Sequence, residues 1–240
     1  MDKKIVLNEI QNSIRSLADT EKAEHYQRFF KTGKGEYGDG DVFLGIRVPE
    51  VRKLSKEFKD ISLRILSELL KSKFHEERQL ALFILVLKCK NKKMNDSTKA
   101  TIYNLYLNST KYINNWDIVD ASAEHVVGAY LINRNKNKLY KLAKSESLWE
   151  RRISIMSTFH FIKNNEFEYT LKIAEMLLAD KEDLIHKAVG WMLREIGNRN
   201  LNTEEIFLKH HYKIIPRTML RYAIEKFPEG KRQKYLKSLI

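Results

Sequence analysis

The chain has 240 residues, three prolines and one cysteine, and its 44 Lys and Arg against 31 Asp and Glu give a formal net charge of +13. With 43% hydrophobic and 31% charged residues, the composition is that of a chain that folds around a core, not of a disordered one. One cysteine excludes an internal disulfide and cannot alone hold zinc. The positive balance favours a polyanionic partner, nucleic acid before anionic membrane, with plain solubility charge as the competing reading.

At the N-terminus, "MDKKIVLNEIQNSIRSLA" mixes charges into its apolar residues, so it does not read as a signal peptide. Ile5, Ile10, Ile14 and Leu17 fall near one face of a helix. Residues 31–49, "KTGKGEYGDGDVFLGIRVP", break the helical texture, with five of the nine glycines lying between Gly33 and Gly45. Within it "GKGEYG" matches G-x-G-x-x-G, but it follows a helix instead of opening one after a strand, so dinucleotide binding fails on context. Two readings stay open for this loop: a plain connection, or a DNA contact through Lys31, Lys34 and backbone N–H groups.

Further along, "LRILSELLKS" predicts a helix, and the apolar run from Leu80 to Leu87 is too short to span a bilayer. Cys89 follows that run and reads as a buried structural thiol. From there the chain repeats. "QLALFIL" from Gln79, "DIVDASA" from Asp117, "RISIMST" from Arg152, "KAVGWML" from Lys187 and "RYAIEKF" from Arg221 start 38, 35, 35 and 34 residues apart. A period near 35 with a second helical stretch in each unit predicts an all-α fold. The expected architecture is an α-solenoid of HEAT-like helical repeats over residues 1–240, one domain, curved, with a basic concave face and a Gly-rich loop at about 31–48. An irregular bundle with accidental spacing is the alternative. In register, Arg152, Lys187 and Arg221 would stand on successive rungs, a row of cations suited to phosphates. Lys187, Gly190, Trp191 and Arg194 share one helical face, as do Asp117 and Asp120.

No histidine pair has metal-ligand spacing, so no metal site is expected. "NNWDIVD", residues 114–120, places Trp116, Asp117 and Asp120 at a helix start. Asp117 suits a cap or first-turn acid. Asp120 comes a turn later, where capping no longer accounts for it, and there a carboxylate would repel phosphates; such a cost points to chemistry. Trp116 and Trp191 are either packing or flat walls for a sugar or base, and Trp149 reads as packing between helices.

"NNWDIVD", "WERRISIMSTF", "HKAVGWMLREIGN" and the early "FLGIRVPEVRKL" together resemble the AlkD-type DNA alkylation repair glycosylases over nearly the whole chain. The resemblance implies HEAT-like repeats around duplex DNA and hydrolysis of the N-glycosidic bond of N3- and N7-alkylated purines, with no cofactor. It also implies a lesion read in the base stack, without a base-binding pocket. It assigns Asp120 as the catalytic aspartate, Trp116 and Trp191 as the active-site tryptophans and Arg152 as the arginine of the set. Lys187, Arg194, Arg221, His160 and Phe29 are assigned to DNA contact, Phe29 standing where the family carries a tyrosine. The implied partner is double-stranded DNA with alkylated purines, bound by a cytoplasmic monomer with no membrane role. The alternative on the same scaffold is a non-catalytic DNA-structure-binding HEAT-repeat protein; a protein-interaction solenoid is a third reading.

Overall fold

The computed structural model describes residues 3–239, and several of its helices begin at a side-chain cap. Side chains of Asp19, Ser62, Asn95, Ser147 and Asn200 each accept a backbone N–H of the helix that follows. Pro49, Pro216 and Pro228 all stand at helix starts, where a missing N–H costs nothing.

The chain divides into two units, Met1–Val126 and Val127–Ile240. The first holds α1 (Lys3–Arg15), α2 (Thr20–Phe29), α3 (Val48–Glu57), α4 (Leu63–Leu69), α5 (His75–Cys89), α6 (Asp96–Leu107) and α7 (Trp116–Ala123). A π-helical turn, Glu124–Gly128, follows α7. The second unit holds α8 (Ala129–Leu131), α9 (Asn137–Ala143), α10 (Leu148–Ser157), α11 (Phe159–Lys163), α12 (Glu168–Met176), α13 (Asp183–Gly197), α14 (Leu201–His211), α15 (Arg217–Ala223) and α16 (Glu229–Leu236). Among the described residues no β-strand forms; a lone bridge joins Val42 to Phe74.

The fold is all-α, and the five repeated segments begin on five separate helices, α5, α7, α10, α13 and α15, the last running on into a 3-10 turn at Ile224–Lys226. In the first unit α5 packs on α3, α4 and α7, and in the second α10, α13 and α15 touch in succession with α9, α12 and α14 beside them. Contact between neighbours along the chain is how stacked helical repeats bury faces that one pair would leave wet.

α5 is the centre of the first unit, buried continuously from His75 to Val86. A helix buried all round needs apolar residues on every face, and the run Leu80–Val86 supplies them. Cys89 lies at its end, half-buried and not fully enclosed as expected, with burial pushing its thiol up to about 11. In the second unit α13 is the centre. A Cβ at Gly190 would meet the Met219 carbonyl at 2.4 Å, so this glycine lets the α13 and α15 backbones approach.

Glu204 on α14 is 1% exposed, and its Oε1 has no hydrogen-bond partner. Burial first, then the charge of Glu205, pushes its carboxyl up to about 8. A carboxyl raised in the folded state stabilises fully only below its unfolded value near 4.5, and that contribution is lost as pH climbs towards 8. Glu204 should therefore contribute a loss of a few kcal/mol of unfolding free energy between about pH 5 and 8, a share of the slope worth about 1.4 kcal/mol for each pH unit. Glu204→Gln should flatten that slope in denaturant melts at the two pH values; parallel slopes would refute this.

Candidate active site

The loop joining α2 to α3 is the Gly-rich segment, and its second half is built into the core. Asp41, Phe43, Gly45 and Ile46 are buried. Gly45 has φ of +80°, and a Cβ there would meet the Asp19 carbonyl at 2.1 Å, so only glycine fits. The Glu76 carboxylate, from the first turn of α5, accepts the N–H groups of Leu44, Gly45 and Ile46 at 2.8, 2.8 and 3.1 Å. The loop is thus a connection, but one anchored by a helix it does not adjoin.

Asp41 starts a buried polar chain that no motif or spacing announces. His75 Nδ1 lies 3.0 Å from Asp41 Oδ2 and His75 Nε2 lies 2.9 Å from Asp117 Oδ2. Gln79 Nε2 donates to the same Asp117 oxygen at 2.9 Å. Arg78 donates to Asp41 Oδ1, to Asn114 Oδ1 at 3.1 Å and to the carbonyls of Ser72 and Lys73. Asn115, fully buried, donates to Asp41 Oδ2 at 3.3 Å and accepts the N–H of Trp116. Burial alone would lower the His75 pKa, but Asp117 and Asp41 outweigh it and hold the imidazolium up to about 9. Burial likewise opposes ionisation of Asp41, and His75 with Arg78 overcomes it, holding that carboxyl below its ordinary range. At neutral pH the imidazolium therefore donates from both ring nitrogens.

This chain fixes the start of α7. Asn115 is the N-cap residue, and Asp117, although in the first turn, spends its Oδ2 on α5 instead of on a cap. Asp117, expected as a cap, instead serves the contact between α7 and α5. Trp116 stacks on Phe30 at 5.3 Å between ring centroids and meets Phe29 edge-on at 6.1 Å. Asp120 lies one turn after Trp116 on the same side of α7 and is half-buried. Burial first, and then the charge of Asp120, raises the pKa of the Tyr106 phenol on α6, against a Ser122 hydrogen bond of 2.9 Å. The structure thus brings Trp116, Asp120 and the 56% exposed Phe29 into one neighbourhood of the first unit.

The remaining candidates lie in the second unit. Trp191 on α13 is half-buried, tilts on Phe159 at 5.9 Å, and its indole N–H donates to Glu195 Oε1 at 3.3 Å. Arg194 pairs with Glu225, and Lys187 pairs with Asp183 one turn earlier at 2.7 Å. Gly190 is spent on α15, so the face expected to run through Lys187, Gly190, Trp191 and Arg194 is partly an internal contact. His160 is half-buried on α11 and Arg221 is exposed on α15. The row of exposed cations is not continuous: Arg152 is 5% exposed and donates to the carbonyl of Leu184. α10 lies against α13, which covers this position, so Arg152 ties the two helices together.

Among the described residues no three His, Cys, Asp or Glu side chains could together hold a metal ion, and no helix is long and apolar enough to cross a membrane. Residues 10–227 match the family described as DNA alkylation repair enzyme. The chain belongs to the DNA alkylation repair enzyme family. A DNA alkylation repair family implies a DNA substrate, which agrees with the surplus of cations. A solved structure described as a predicted DNA alkylation repair enzyme from Enterococcus faecalis superposes with a TM-score of 0.67 at 17% identity, covering 88% of this chain and 97% of that one. The crystal structure of smu.31 from Streptococcus mutans UA159 superposes with a TM-score of 0.53 at 19% identity, covering 94% and 99%. At such identities the likeness is one of fold. No curated protein sequence matches the chain.

Proposed function

We propose that this member of the DNA alkylation repair enzyme family is a monofunctional DNA glycosylase that hydrolyses the N-glycosidic bond of cationic N3- or N7-alkylated purines in duplex DNA. The observation that carries the reading is Trp116 and Asp120 one turn apart on α7, in a helix whose start is held by a buried ion-paired network. Such support is what keeps a reacting group in place within the tolerance that catalysis needs.

The chemistry follows from charge. An alkylated purine is already cationic, so it leaves with the electron pair of the C1′–N bond as a neutral base and needs little acid help. The difficult charge is the one that appears on the sugar. The Asp120 carboxylate stabilises that oxocarbenium-like centre and orients a water whose oxygen bonds to C1′, while the water's proton passes to the carboxylate or to solvent. The Trp116 face adds attraction for the same positive charge.

In the second unit Trp191 is the other indole that the family resemblance assigns. Lys187, Arg194, Arg221 and His160 are assigned to the DNA backbone. Arg152 is assigned to positioning: held against Leu184, it fixes the first turn of α13, the helix that bears Lys187 and Trp191. The test is incubation with methylated duplex DNA, with release of 3-methyladenine or 7-methylguanine read by chromatography. Release of neither base would end the glycosylase reading.

A further inference from the structure

In the second unit, the turn from α14 to α15 and the residues after α16 border an open groove of about 680 Å³. Lys213 and Arg217 line it, together with Tyr212, Ile215, Pro216 and Ser238. Its walls are tied to one another. Arg217 donates one N–H to the carbonyl of Leu236 at 2.8 Å, and the Tyr212 hydroxyl donates to the carbonyl of Tyr235 at 3.3 Å. The Tyr235 ring, 2% exposed, meets Tyr212 and Phe227 edge-on at 6.2 and 5.6 Å. The end of α16 is thus pinned across the turn.

The charge of this groove is one-sided. Lys213 and Arg217 are the only charged residues among the described residues lining it. Both are exposed, and neither forms an ion pair among the described residues. The acids nearby are spent on other cations: Glu225 on Arg194, Glu205 on Lys231 and Glu229 on Arg232. Arg221 lies one turn after Arg217 on the same side of α15 and is exposed as well. On α13 the pattern is the opposite, since Lys187 pairs with Asp183 and Arg194 with Glu225. Cations left together without counter-charge repel one another, and a polyanion relieves that repulsion. A guanidinium held by one N–H keeps the others for a phosphate oxygen, while lysine adds a point charge. Ile215 and Pro216, between the two cations, offer an apolar strip for the face of a sugar.

We propose that this groove holds a phosphodiester run of duplex DNA through Lys213 and Arg217, extending the backbone contact assigned to Arg221. It rests on DNA as the partner and not on the glycosylase chemistry. Phosphate contacts of this kind position a duplex without reading its sequence.

The experiment is titration of undamaged duplex DNA with the full chain by fluorescence anisotropy, over a range of salt. Lys213→Gln/Arg217→Gln should weaken binding about tenfold or more at about 0.1 M salt and reduce the slope of log affinity against log salt by about 1.8. Lys213→Gln alone leaves the bond from Arg217 to Leu236 in place and should remove about half of that slope. Lys138→Gln/Lys141→Gln takes as much charge from exposed positions of α9 and should leave the slope unchanged. An equal fall in both double variants, or no fall in Lys213→Gln/Arg217→Gln, would overturn the proposal. Ile214 and Leu239, 65% and 68% exposed beside the lining residues, make an anionic lipid surface the rival partner. Vesicles of phosphatidylserine and phosphatidylcholine are therefore a second arm. Vesicle binding lost in Lys213→Gln/Arg217→Gln, with DNA binding intact, overturns the proposal too. A reduced slope without base release from methylated DNA keeps the groove and ends the glycosylase reading; base release with an unchanged slope does the reverse.

Discussion

If the proposed glycosylase reading holds, asparagine in place of Asp120 should lower the rate of base release from methylated duplex DNA by about 10²–10³, the cost of deleting one preorganised electrostatic partner of a transition state. Asparagine keeps the shape of the side chain and removes only its charge. The lost interaction is with a positive sugar that exists in the transition state and not in bound DNA. The loss should therefore fall on kcat, with KM unchanged or lower because a repulsion with phosphates has gone. Single-turnover release under excess enzyme, with DNA affinity measured separately, separates the two. Equal rates for wild type and Asp120→Asn would remove the carboxylate from the mechanism even if release itself is robust.

Asp41→Ala should destabilise the first unit by about 3–5 kcal/mol, the usual cost of taking one partner from a buried ion pair. Asp41 is 4% exposed and faces His75, Arg78 and Asn115 together. Without it Arg78, itself 4% exposed, keeps two carbonyls and Asn114 but no counter-charge. A fall in Tm of about 10 °C is expected for a chain of this length. The pH dependence gives a second reading of the same network. The His75 pKa is raised in the folded state, from an ordinary 6.5 to about 9. The stability it confers is complete below pH 6.5 and drains away as pH rises towards 9. In Asp41→Ala that window should shrink, because one of the two carboxylates holding the proton is gone. An unchanged Tm and an unchanged alkaline slope would show that the network does not hold the fold.

Sequence periodicity located the repeats because stacking forces apolar residues to recur. "QLALFIL" and "KAVGWML" had to be helices once each was seen to need a buried face. Asp120 stood out as an acid a turn beyond the cap, and its half-buried place one turn from Trp116 on α7 supports the role proposed for it. The Asp41–His75–Asp117 chain was not legible. Its members come from a loop and two helices, separated by 34 and 42 positions, and no spacing rule links them. One clue was present: "HEERQ" immediately precedes a continuous apolar run, and polar residues opening a helix buried all round must find partners inside. Arg152 was misplaced for the converse reason. Helical register gives the side on which a residue lies but not whether the next helix covers it.

The carboxylate of Glu76 makes the long loop two things at once. From Leu44 to Ile46 the backbone is clamped, whereas Gly33–Glu36 stands in solvent. Length changes upstream of the clamp need not reach α7, so a fluorophore or affinity handle grafted at that tip would leave the chemistry undisturbed.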